Sequence, residues 1–340
     1  MPIPRQLAPY SAKLGFPKSE TMAKILAILY DDPDSIAVAG AMPGSVREIA
    51  AKTGLNEQRV RDVVTRLLHK GAISHVLNKG EYYRLFPAMI ELRDAVVVCP
   101  DYTREFFELW DKLIREEMPL LVPLFKALNL PPLLRVIPIE EGIESSSQVL
   151  DADSARTLTK NASLIVAIPC PCRTHQKRIG HSPDCRAPKD VNLCLQINGF
   201  AESALDRGVG ERLSTEEALR RLALAEEAGL VHTTRNNIKD DYFLCNCCPC
   251  CCTAMFLHNE VGYTESYAPS RFRAVLDIEK CLGTGCGVCK IKCSFKAISL
   301  DGAVSIDSAK CFGCGNCAHA CPVEAITLEE VRPPEFIRRT

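Results

Sequence analysis

The stretches CLGTGCGVCKIKC (281–293) and CFGCGNCAHACP (311–322) decide how this chain is read. The first spaces its thiols as C-x4-C-x2-C-x3-C and the second as C-x2-C-x2-C-x3-C-P. Tight triplets of thiolates followed by a fourth Cys suit the corners of [4Fe–4S] cubes, and these eight cysteines imply two of them. A zinc ribbon would use pairs of Cys rather than triplets closed by C-P.

The two stretches are copies of one unit. Cys289, Cys293, Ala297, Ile298 and Leu300 recur as Cys317, Cys321, Ala325, Ile326 and Leu328. Between them Ile298 and Leu300 alternate with polar residues, Asp301-Gly302 turns, and Val304 and Ile306 alternate again, which predicts a hairpin. The whole resembles the two-cluster bacterial ferredoxins over roughly residues 272–330, and that resemblance implies a pseudo-twofold fold. It further implies two ligand sets that cross over: Cys281, Cys286, Cys289 with Cys321, and Cys311, Cys314, Cys317 with Cys293. Two departures stand out: the first run is wider by Gly283 and Thr284, and Ser294 stands where the family has Pro. The wider gap also fits a plant-type opening, but a plant-type site needs neither Cys293 nor the second run.

Outward from that tail, 340 residues with 47% hydrophobic content and a net charge of −1 describe a soluble globular chain of two or three domains. Pro2, Pro4, Arg5 and Pro9 interrupt the N-terminus, so no signal peptide is expected. The apolar stretch from Met118 to Ile139 is cut by Pro119, Pro123, Pro131, Pro132 and Pro138 and carries Lys126 and Arg135, so it cannot span a bilayer as one helix. Nineteen cysteines without a secretory signal read as metal ligands in a reducing cytoplasm, not as disulfides.

The N-terminal part predicts a helix with Met22, Ile25, Leu26 and Leu29 on one face. A helix over Val46–Lys52, a turn at Thr53-Gly54-Leu55 and a helix opened by Asn56 follow, the latter burying Val60, Val63, Val64, Leu67 and Leu68. Strands Ile73–Leu77 and Glu81–Leu85 flank the turn Asn78-Lys79-Gly80. Together these resemble the winged helix of small bacterial transcription regulators, over roughly residues 18–87. A DNA-reading role would fall to Gln58, Arg59, Arg61, Thr65 and Arg66. Glu57 and Asp62 dilute that face and the chain is not basic, so the charge footprint for DNA is weak. Asp101 to Leu128 begins as an amphipathic helix whose Phe106, Phe107, Trp110, Leu113 and Ile114 are core or a docking surface.

A central α/β domain is expected next. Arg135–Ile139 is extended, Ser154–Asn161 helical, and Leu164–Ile168 a buried strand ending in Pro169-Cys170-Pro171-Cys172-Arg173. Cys185 and Cys194 follow. Ser214 and Glu217 form a capping box for a helix with Ala218, Leu219, Leu222 and Leu224 that stops at Gly229. Tyr242-Phe243-Leu244 leads into the eight-residue run Cys245, Asn246, Cys247, Cys248, Pro249, Cys250, Cys251, Cys252. So dense a run is no packing solution, and soft thiolates point to iron–sulfur or zinc. Adjacent thiols such as Cys247 and Cys248 point apart in helix or strand, so this run and the Cys170, Cys172, Cys185, Cys194 group are expected to converge on one larger or two adjacent clusters.

The order of these motifs resembles a group of iron–sulfur proteins, often from anaerobes, and implies electron transfer through several clusters. The expected fold class is α+β multidomain: a winged-helix-like domain (1–90), a central α/β cysteine-rich domain (91–270), a ferredoxin-like domain with two [4Fe–4S] clusters (271–330) and a tail (331–340). The expected function is single-electron transfer through those clusters to a further central cysteine-ligated site, with a redox partner protein as donor or acceptor. If the chain is an enzyme, it is an iron–sulfur oxidoreductase or its electron-transfer subunit. The rival readings are a redox-responsive winged-helix regulator with DNA as partner, and a reductase in which His175, His181 and Arg173 serve as proton donors or anion anchors. No triad, phosphate loop or dinucleotide fingerprint is present, and Gly208-Val209-Gly210 lacks the third glycine.

Overall fold

The computed structural model describes residues 3–181, 184–238 and 243–338; Tyr242, in the expected lead-in to the cysteine run, lies outside them. The chain divides into two compact units. One comprises Met1–Leu121, Pro169–Ser182 and Glu202–Gly210, the other Val122–Ile168, Pro183–Ala201 and Glu211–Thr340. No described helix is long and apolar enough to cross a membrane.

In the first unit, side-chain caps set the helix boundaries. Ser19 accepts from the Met22 N–H and opens Glu20–Leu29. Ser45 and Glu48 form a capping box at the head of Val46–Thr53, and Gly54 ends that helix in the left-handed region (φ 75°), where a side chain is unfavourable. Asn56 then caps Glu57–His69, whose Val60, Val63, Val64 and Leu67 bury in one core with Met22, Ile25, Leu26 and Leu29. Tyr82–Arg84 lies between Gly44–Ser45 and Ser74–His75, antiparallel to both. The strand expected over Ile73–Leu77 is shorter because Leu77–Lys79 coils into a 3₁₀ turn before Gly80. The helix expected from Asp101 starts at Arg104, and Phe106, Phe107 and Trp110 are fully buried core residues.

The second unit is built on a sheet of seven strands. From edge to edge they are Tyr267–Ala268, Leu134–Val136, Val231–Arg235, Phe243–Cys247, Cys194–Ile197, Ile165–Ile168 and Glu211–Arg212. Every pairing is antiparallel except Tyr267–Ala268 with Leu134–Val136. This departs from the expected α/β domain. An all-apolar run such as Ile165–Ile168 is buried on both faces in either kind of sheet, so its composition does not report strand direction. The capping box at Ser214 opens Thr215–Glu227, whose Ala218 and Leu222 share a core with Leu158, Ala167, Leu195 and Leu244.

The C-terminal segment belongs to the same unit. Phe272–Leu276 pairs antiparallel with Ile326–Glu330, and Ile298–Ser299 with Ser305–Ile306 around the Asp301-Gly302 turn. Short helices Val288–Lys292 and Asn316–His319 each start after a left-handed glycine, Gly287 and Gly315. At Gly313 (φ 64°) a Cβ would lie 2.1 Å from the Phe272 carbonyl oxygen, so no other residue fits without moving the backbone.

Arg271 joins this segment to the rest of its unit. Its buried guanidinium donates to Asp153 Oδ2 (2.9 Å), Glu330 Oε1 (2.7 Å) and the Gln148 carbonyl (2.5 Å). Removing one partner of a buried pair leaves the other charge uncompensated, a loss of about 3–5 kcal/mol. Arg271→Ala is therefore expected to lower the unfolding free energy of the anaerobic full-length protein by an amount of that order, read as a lower thermal or urea midpoint. An unchanged midpoint would contradict this role.

Candidate metal centres

Seven of the eight tail cysteines fall in two environments. Cys293, Cys311, Cys314 and Cys317 line one pocket together with Phe295, Ala297, Ile298, Ile306, Phe312 and the Gly313 and Gly315 backbone. Three of those thiols come from the second run and one from the first. Burial pushes the Cys314 thiol up to about 12, raises Cys317 well above its ordinary value and raises Cys293. Thiols so disposed ionise against a bound cation, which is the chemistry a thiolate-ligated cluster provides. The donor set, four thiols facing one pocket, fits such a group.

Cys281, Cys286 and Cys289 sit nearer the surface. Burial raises Cys289, with Cys281 and Cys286 close enough to add repulsion. The exposed apolar side chains Ile278 (59%), Leu282 (61%) and Ile291 (73%) surround this run. The Ala297 N–H donates to Cys293 Sγ and the Ala325 N–H to Cys321 Sγ, both at 3.2 Å. Equivalent residues thus do equivalent work in the two repeats. Lys296 and Glu324, each just before one of those alanines, both take positive φ (54° and 51°).

A further element of the repeat escaped the sequence reading. Asp277 accepts from the N–H groups of Glu279 and Lys280, and Asp307 from that of Ala309, so each carboxylate shapes the turn leading into Cys281 or Cys311. The signal was present as D-x-x-K-C, read twice. Ser294, where the resembled family has Pro, is buried, and its carbonyl accepts from Asn259 Nδ2 (3.0 Å).

The central cysteines are divided between the two units. Cys170 precedes the helix Pro171–Arg178 in the first unit, and Cys172 accepts from the buried Arg93 Nη1 at 3.3 Å. In the second unit, strand alternation turns Leu244 and the buried Asn246 to one face and Cys245 and Cys247 to the other. Cys194 lies across from Cys245 with sulfurs 3.8 Å apart, and Cys247 Sγ is 3.5 Å from Thr233 Oγ1. Cys245 is pushed well above its ordinary value by its contacts with Cys194 and Cys247. Behind them, His232 bridges Asn246 Oδ1 (2.5 Å) and Glu226 Oε1 (3.1 Å), and Arg156 pairs with Glu226 (2.7 Å), which pins the strand that presents Cys245 and Cys247.

Cys185 parts from Cys194 and joins the cysteine run instead. The sulfurs of Cys185, Cys248, Cys250 and Cys251 all lie within 4.8 Å of one another, a set able to hold a metal ion. Hydrogen bonds from Cys248, Cys250 and Cys251 favour the Cys185 thiolate, and the same contacts push Cys248 and Cys251 up. Cys247 and Cys248 do point apart, yet neighbouring Cys250 and Cys251 converge, 3.6 Å apart. Alternation holds in strands and helices, whereas residues 248–251 form a turn closed by the Cys252 N–H on the Cys248 carbonyl (3.1 Å). Cys252 is buried, 3.2 Å from the Tyr267 hydroxyl.

Several of the candidate proton donors and DNA contacts are held by other groups. His175 is buried between the Phe107 carbonyl (2.8 Å) and Arg93 Nη2 (3.2 Å). His181 is exposed and Arg173 half-buried. On the Glu57–His69 helix, Arg59 pairs with Asp34 (2.7 Å), Arg61 with both Glu81 (2.9 Å) and Glu57 (3.1 Å), Arg66 with Asp32, and Gln58 donates to Asp62 (2.9 Å).

Compared with protein-family models, residues 304–327 match the 4Fe-4S binding domain, a span that contains Cys311, Cys314, Cys317 and Cys321. No curated protein and no solved structure matches the chain. This is an iron–sulfur protein with at least one [4Fe–4S] cluster and a further grouping of cysteines able to bind metal.

His175 provides a pH test of the first unit. Burial, aided by Arg93, lowers its pKa from 6.5 to about 4, so the folded chain refuses a proton that the unfolded chain accepts. The stability this contributes is present above pH 6.5 and drains away as pH falls toward 4. NMR of the imidazole in the full-length protein is expected to show a midpoint near 4. A midpoint at its ordinary value would refute the neutral, structural role.

Proposed function

We propose that the chain carries single electrons between a partner protein and its central cysteines, using two [4Fe–4S] clusters in a ferredoxin-like tail. One cluster is assigned to Cys281, Cys286, Cys289 and Cys321, the other to Cys311, Cys314, Cys317 and Cys293. The observation that carries this reading is the cavity shared by Cys293 and the second run, since a cross-over ligand set is what two interlocked sites require. When bound, such clusters supply reversible one-electron chemistry.

The protein's own residues supply direction and tuning. The surface-facing first run, with Ile278, Leu282 and Ile291 exposed around it, suits contact with a partner. The second run, whose Cys317 is buried, suits exchange with the interior. Phe295 and Phe312 wall its cavity and also share a core with Val231, Tyr267 and Cys252, against which Cys247 and Cys314 pack. The Ile139 N–H donates to the Cys314 carbonyl (3.1 Å), tying this site to the end of a central strand. Backbone N–H groups on Cys293 and Cys321 stabilise negative charge on sulfur and so raise the reduction potential.

Residues 18–87 are proposed as a winged-helix module used for docking rather than for reading DNA. Arg59, Arg61 and Arg66 are already matched to carboxylates, and a phosphate contact by any of them would have to displace its partner.

Two measurements on the anaerobic full-length protein test this reading. In EPR of the dithionite-reduced protein, Cys293→Ser and Cys314→Ser are expected to alter the same spectral component although they lie in different runs. If Cys293→Ser instead matches Cys286→Ser, the crossed assignment is wrong. In gel shifts, neither oxidised nor reduced protein is expected to bind DNA with sequence selectivity. Nanomolar, salt-sensitive binding in one redox state would favour a regulator.

A further inference from the structure

The four-thiol group in the second unit has a geometry more specific than that of a generic cysteine cluster. Cys185 and Cys248 sulfurs are 3.5 Å apart, Cys250 and Cys251 sulfurs 3.6 Å, and no pair in the group exceeds 4.8 Å. A tetrahedral ion with metal–sulfur bonds of about 2.3 Å holds its four sulfurs ~3.8 Å apart, the edge of that tetrahedron. In a cubane each thiolate binds a different iron and stands outside the whole inorganic core, so its cysteine sulfurs are spread well beyond such an edge. The observed spacing belongs to one ion.

We propose that Cys185, Cys248, Cys250 and Cys251 bind a single tetrahedral divalent ion, zinc or iron(II), as a tetrathiolate, with no inorganic sulfide. Each thiol that coordinates releases its proton to solvent. Soft thiolates in a tetrahedral set select these metals over harder ions. Cys248 and Cys251 form the buried side of the site (1% and 8% exposed), while Cys185 and Cys250 are part-exposed and leave a way in. The neighbouring thiols are engaged elsewhere, Cys247 with Thr233 and Cys252 with Tyr267. The turn through Pro249 places the sulfurs of Cys248, Cys250 and Cys251. The ion would staple the segment at 185 to the end of the Phe243–Cys247 strand.

This inference shares the chain with the electron-carrier reading but stands on sulfur geometry alone, and metal analysis separates the two. Zinc, iron and acid-labile sulfide are measured in anaerobically purified full-length wild type, Cys185→Ser and Cys250→Ser, with EPR of the reduced tail clusters recorded in each. The expected result is the loss of one metal equivalent per chain in both variants, with sulfide and tail EPR unchanged. Lost zinc identifies a structural ion; lost iron identifies a redox-active one. Loss of several irons with equal sulfide, or no loss at all, overturns the proposal. Should a variant fail to fold, cobalt(II) exchanged into the wild type is the second readout. Intense sulfur-to-cobalt charge-transfer and tetrahedral d–d bands at one equivalent support the site, and their absence overturns it. A chain that keeps this ion but lacks iron in its tail would defeat the electron-carrier reading and leave the tetrathiolate standing.

Discussion

Thiols crowded at close range, several of them buried, are the constraint on which this molecule turns. Neighbouring thiols can stabilise one thiolate among them, but ionising all four is unfavourable without a cation between them. Cys185 with Cys248, Cys250 and Cys251, and Cys293 with Cys311, Cys314 and Cys317, are such crowds. In each, one cysteine comes from a segment remote from the other three. The sites are therefore closed by folding, and metal binding and folding free energy are linked.

The same constraint explains the architecture around the sites. The sheet turns Asn246 inward to the His232–Glu226–Arg156 network so that Cys245 and Cys247 face the opposite way. The Arg271 network, the Ile139–Cys314 hydrogen bond and the Asn316 side chain, which donates to the Gly229 and Leu230 carbonyls, fasten the tail to the sheet within one unit. An electron carrier benefits from this rigidity, because cluster spacing and burial set its rates and potentials.

The readable parts of the sequence were those whose physics is local. The 28-spaced return of Cys289 as Cys317 and Cys293 as Cys321, the caps at Asn56 and Ser214, and the Asp301-Gly302 turn all depend on neighbours a few residues away. The parting of Cys185 from Cys194 depends on strand register, which spacing does not encode. The convergence of Cys250 and Cys251 escaped because the periodicity argument considered helices and strands and not a turn. The pairing of Arg59, Arg61 and Arg66 was hidden for a similar reason: Asp34, Glu81 and Asp32 reach that helix through tertiary structure.

The proposed electron transfer requires two clusters side by side in the tail, one facing outward and one inward. Spin integration and power saturation of the EPR signal from the fully reduced full-length protein address it most directly. Two such clusters are expected to give about two spins per chain in a broadened, fast-relaxing signal, the mark of neighbouring paramagnets in a two-cluster site. A sharp signal that integrates to a single non-interacting spin would contradict it.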